Sequence, residues 1–100
     1  MFLFFPDMVT IMKLCDLYNS FHELYDSILR GNEMEFMYNG KRYYILPCFN
    51  DANVNGCCFG EAYADVQVFC GSEQELYRAK VGNALLGEII SEVSILWYNF

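Results

Sequence analysis

Glu33-Met34-Glu35-Phe36-Met37-Tyr38-Asn39-Gly40-Lys41-Arg42-Tyr43-Tyr44-Ile45-Leu46 decides the fold of this chain. Two runs of β-favouring residues flank Asn39-Gly40, the strongest short-range signal for a two-residue hairpin. A type I′ turn needs positive φ at both central positions, and Asn followed by Gly takes it at least cost. Counting outward pairs Tyr38 with Lys41, Met37 with Arg42, Phe36 with Tyr43, Glu35 with Tyr44 and Met34 with Ile45. One face of the ribbon then carries Met34, Phe36, Tyr43 and Ile45, an apolar surface for a helix to cover. The other carries Glu33, Glu35, Met37, Arg42, Tyr44 and Leu46. Glu35 lies diagonal to Arg42 there, a cross-strand pair worth at most about 1 kcal/mol. That mixed face is either partly covered or a recognition surface. Pro47 is expected to end the ladder.

Upstream, Leu14, Leu17, Tyr18, Phe21, Leu24, Tyr25, Ile28 and Leu29 recur at the spacing of one helical face, and Gly31 supplies the left-handed stop. Downstream, the stretch from Asn50 to Gly56 reads as a loop by composition. Cys57-Cys58-Phe59 and Ala64–Cys70 read as two further strands around a turn near Gly60–Tyr63. Ser72-Glu73-Gln74-Glu75 has the capping-box form and opens a short helix to about Ala79. After the break at Gly82-Asn83, the apolar spacing of Leu85, Leu86, Ile89, Ile90, Val93, Leu96 and Trp97 predicts a second amphipathic helix. The expected order is α-β-β-β-β-α-α, an α+β domain in which an antiparallel meander is packed on one face by helices.

The chain has 100 residues, the length of one domain. Residues 12–100 are read as that domain, and residues 1–11 as an apolar arm or an extension from an upstream start codon, since Met12-Lys13-Leu14 resembles a natural start. Met1–Phe5 is too short for a secretory core or a membrane span. An 18% aromatic content rules against disorder and serves either a core of large side chains or a partner surface. The formal charge of −7 makes direct nucleic-acid binding a poor fit, because phosphate binding rests on cationic neutralisation. It suits a basic surface on another protein, or simply solubility.

Motifs for chemistry are absent. His22 is the one histidine and has no signature linking it to a cysteine nucleophile. Glu33 and Glu35 point to one side of a strand about 7 Å apart, a spacing that also describes a solvated acidic edge facing Arg42. No phosphate-loop or dinucleotide glycine pattern occurs, and no metal-ligand spacing. Gly82 and Gly87 read as a boundary and a point of close packing. The five cysteines, Cys15, Cys48, Cys57, Cys58 and Cys70, are expected as free thiols of a reducing cytoplasm, with Cys48, Cys57, Cys58 and Cys70 buried in or beside strands. No enzyme, cofactor or metal is expected.

The segment Phe21-x-x-Leu24-x-x-x-Ile28-Leu29-x-Gly31-Asn32-Glu33-x-Glu35-Phe36-x-Tyr38-Asn39-Gly40-Lys41-Arg42-Tyr43-Tyr44 resembles a class of short acidic proteins of Firmicutes phages and mobile elements. Phe69-x-Gly71-Ser72-x-x-Glu75-Leu76 and Leu85-Leu86-x-Glu88-Ile89 are similar to the same class. The shared features are turn, cap and core, so the resemblance carries over no catalytic residue. It implies an accessory protein that binds a host or phage protein and inhibits a defence or nucleic-acid-binding factor. Glu33, Glu35, Asp65, Glu73 and Glu75 are the expected acidic contacts, with Arg42, Met37 and Tyr44 beside them. An alternative is a small-ligand binder, such as one for a signalling nucleotide, with stacking on Tyr43, Tyr44 or Phe49 and a phosphate at Lys41 or Arg42. Another is a structural domain without an activity of its own. No membrane contact is expected, and the apolar termini at Phe2–Phe5 and Ile95–Phe100 are candidates for self-association.

Overall fold

Asn39 and Gly40 take the left-handed angles that the turn demands, with φ of 50° and 77°. The computed structural model describes Lys13, residues 18–50 and residues 53–99. The arm at 1–11 and residues 14–17 of the expected first helix lie outside the described residues. β1 (Glu33–Tyr38) and β2 (Lys41–Asn50) pair in the expected register, and Met34, Phe36, Tyr43 and Ile45 are all buried.

The first helix, α1 (Phe21–Leu29), begins later than the apolar spacing suggests, and Tyr18–Ser20 precede it in non-helical conformation. The cause is local. Ser20 Oγ accepts from the Glu23 amide at 3.2 Å, while Glu23 Oε1 accepts from the Asn19 amide at 3.1 Å. This reciprocal cap satisfies donors that a continuing helix would have used internally. At the other end Gly31 has φ of 100°, and Arg30 pairs with Asp26 one turn back at 2.6 Å.

The ladder does not stop at Pro47. β2 runs on to Asn50 against β3 (Asn53–Glu61), so the expected loop over Asn50–Gly56 is mostly strand, with only residues 51–52 of it outside the described residues. The Arg42 carbonyl accepts from the Ala62 amide at 2.8 Å, on the β3 side. Residues two apart share that direction, so Tyr44, Leu46 and Cys48 also bond toward β3. Pro47 therefore turns its missing N–H to the opposite edge, past the start of β1, where no bond is lost.

β4 (Gln67–Cys70) pairs with β3 and is shorter than the Ala64–Cys70 strand expected. The helices cover only its Cys70 end, so Val66 and Val68 stay exposed. Ser72 caps α2 (Glu73–Tyr77), and Glu75 reaches back to the Gly71 amide at 2.7 Å. A small hairpin, β5 (Lys80–Val81) and β6 (Ala84–Leu85), turns at Gly82-Asn83.

The largest correction is at the C-terminus. The expected helix is limited to α3 (Leu86–Ile89) and a 3-10 turn at Ile90–Glu92. Val93 is extended, and β7 (Ser94–Asn99) joins the sheet antiparallel to β1. A strand there satisfies the backbone groups of β1 that a helix would leave open. The sheet order is β4-β3-β2-β1-β7, and the α+β class stands, with helices on one face of an antiparallel sheet.

The core lies between. Phe36, Tyr43 and Phe59 stack across β1, β2 and β3, with ring centroids 5.5 Å apart for the first pair and 5.9 Å for the second. Such stacking adds about 0.5–1.5 kcal/mol per pair beyond area burial. Leu24 and Ile28 of α1 and Leu86 of α3 close over them, fully buried. Not all cysteines are free thiols. Cys48 and Cys58 form a disulfide diagonal across β2 and β3, with Cα atoms 6.0 Å apart. Cys57 and Cys70 are free and buried, directly opposite each other on β3 and β4.

Candidate functional site

Side chains alternate across a strand, so burying Tyr43 and Ile45 against the helices turns Arg42, Tyr44, Leu46 and Cys48 to the other side of the sheet. Glu33, Glu35 and Met37 of β1 and Leu96 of β7 share that side. The sheet residues of the core cluster all lie toward the helices, and this second face is left part-exposed.

A shallow depression of about 410 Å³ is sunk into it, lined by Glu33, Glu35, Arg42, Leu46 and Leu96. The expected diagonal pair is present, with Arg42 Nε 3.9 Å from Glu35 Oε1 and both side chains about two-fifths exposed. An exposed pair of this kind contributes little to stability, and solvent leaves both groups able to exchange partners. Glu33 has no ion-pair partner among the described residues. Beside the depression, Tyr44 Oη donates to Gln67 Oε1 at 3.1 Å, its ring lying over Gly60 where any Cβ would collide. The Cys48–Cys58 disulfide and Phe69, 52% exposed, continue the face toward β4.

Not every expected contact lies here. Glu33, Glu35, Met37, Arg42 and Tyr44 share the open face. Asp65 sits in the exposed connection between β3 and β4. Glu73 and Glu75 belong to the first turn of α2 in the helix layer, where Glu73 meets His22 and Glu75 caps the helix. The five carboxylates thus do not form one patch. Among the ligand candidates, Lys41 and Tyr43 line clefts on the helix side, whereas Phe49 projects 63% exposed from the far end of β2. Tyr43 is stacked in the core, so its ring faces are already occupied.

Leu96 was hidden by the helical reading of its segment, and Leu46 was visible in the alternation of β2. Cys57 is held as a thiol by a hydrogen bond to Cys70 and by burial, both of which push its pKa up. No cluster of three or more His, Cys, Asp or Glu fit for a metal ion occurs among the described residues. No helix among them is long and apolar enough to cross a membrane. No family model, no curated protein and no solved structure matches the chain.

Proposed function

We propose that this chain acts by binding another protein through the open face of its sheet. The observation that carries the reading is the depression between β7 and β2, acidic at Glu33 and Glu35 and apolar at Leu46 and Leu96. A partner segment that combines Lys or Arg with an apolar side chain fits it, since the charges steer encounter and the apolar contacts hold the complex. The net charge of −7 adds long-range attraction toward a basic partner. The resemblance to short acidic phage and mobile-element proteins supports a host protein as that partner, and inhibition of a host defence or nucleic-acid-binding protein as the outcome. In the reducing cytoplasm of a host, Cys48 and Cys58 would stand as thiols.

The test uses the wild-type chain, a Glu33→Lys/Glu35→Lys variant and a Leu46→Lys/Leu96→Lys variant as baits for host proteins. Asp65→Lys, away from the depression, serves as control. A partner retained by wild type and by the control but lost by both double variants, at unchanged melting temperature, is the expected result. The same partner held equally by all four baits overturns the assignment of this face.

A further inference from the structure

Cations are scarce in this chain, six Lys and Arg against thirteen Asp and Glu, and three of the six are engaged. Arg30 pairs with Asp26, Arg42 with Glu35, and Lys13 donates to the Glu92 carbonyl. Lys41, Arg78 and Lys80 have no ion pair among the described residues, and of these Lys41 and Lys80 line one cleft. It lies on the helix side of the sheet, opposite the proposed protein-binding face, where the Asn39-Gly40 and Gly82-Asn83 turns approach each other. Two cavities, of about 440 and 260 Å³, share Lys41, Tyr43 and Gly82.

Two ammonium groups on one cleft repel each other, and Glu61 is the one carboxylate among the described residues that line it. Elsewhere the acidic surface repels anions, so an anion is held only where cations gather. Lysine meets phosphate as a point charge on a flexible stem, which suits groups arriving from two walls. The other walls supply what a small-molecule site uses for orientation. Tyr38 and the edge of Tyr43 offer apolar surface, and Asn39 and Asn83 offer donors and acceptors at the turn tips.

We infer that this cleft binds a small phosphorylated ligand, with its phosphate between Lys41 and Lys80 and its apolar part against Tyr38 and Tyr43. The full chain, labelled with ¹⁵N, is titrated with pyrophosphate and with adenosine diphosphate, and adenosine serves as the uncharged probe. The expected result is saturable shifts at the amides of Lys41, Lys80, Gly82 and Asn83 with both phosphate probes, the diphosphate nucleoside binding the tighter. Lys41→Gln and Lys80→Gln each weaken that binding by about ten-fold, the loss of one charge-assisted contact. Arg30→Gln, outside the cleft, leaves it unchanged. Both lysines are exposed, so the variants keep the fold of the wild type. No saturable shift with either phosphate probe overturns the proposal. So does an unchanged affinity in the Lys41→Gln/Lys80→Gln variant, or adenosine binding as tightly as its diphosphate.

Discussion

His22 projects from α1 into solvent with Nδ1 2.6 Å from Glu73 Oε1. The hydrogen bond to that carboxylate, and then its charge, raise the imidazole pKa above the usual 6.5. A raised pKa means the folded chain holds its proton more tightly than the unfolded one. The linked stability is fully present below the unfolded value and is lost as pH rises through the folded value. Titration of the ring protons by NMR should place the His22 midpoint above that of an unstructured histidine, and Glu73→Gln should bring it back. A midpoint unmoved by Glu73→Gln would show the pair to be idle. The sequence names no partner for His22, because one 51 positions away is brought near only by packing. Gly87 behaves as expected, since any Cβ there would collide with the Tyr77 ring that packs edge-on against Phe21.

Whether an element was legible depended on how local its causes were. The hairpin and the cap at Ser72 rest on residues within three positions of one another, and both formed as read. A second cap of the same kind, Ser20 with Glu23, was equally written in the chain, and it shortens α1. β7 was not legible from spacing. Leu85 to Trp97 satisfies a helical period, yet the open edge of β1 lies far away in sequence and captures the second half as a strand. The two readings part at adjacent residues. On a helix, Leu96 shares the apolar face with Val93 and Ile89. In β7, Ile95 is buried and Leu96 is 42% exposed. Ile95→Ala should cost about 2–4 kcal/mol in chemical denaturation, and Leu96→Ala less than about 1 kcal/mol. Comparable losses at both sites would restore the helix.

For the whole molecule, the division of labour between the faces of the sheet matters most. One face supplies stability through the ring stack and the helices. The other carries the acidic depression and the Cys48–Cys58 bridge. Composition announced an acidic, aromatic-rich domain but could not distribute its charge, which is why five expected contacts divide between that face, a turn and a helix end. The bridge closes a loop of sequence separation 10, which in the chain-entropy account stabilises by about 2–3 kcal/mol. Reduction should lower stability by that amount. Cys57 and Cys70 should meanwhile react with a thiol reagent only as fast as the chain opens, because both are buried. Rapid labelling of either in the native state would contradict their packing.

Past Glu33, β2 continues as an arm with no part of β1 alongside it. Pro47 has no N–H to turn toward that side, and it is buried there. The residue that looked like the end of a strand is what lets β2 run on beside β3 alone: it forgoes a donor only on the side where β1 has ended.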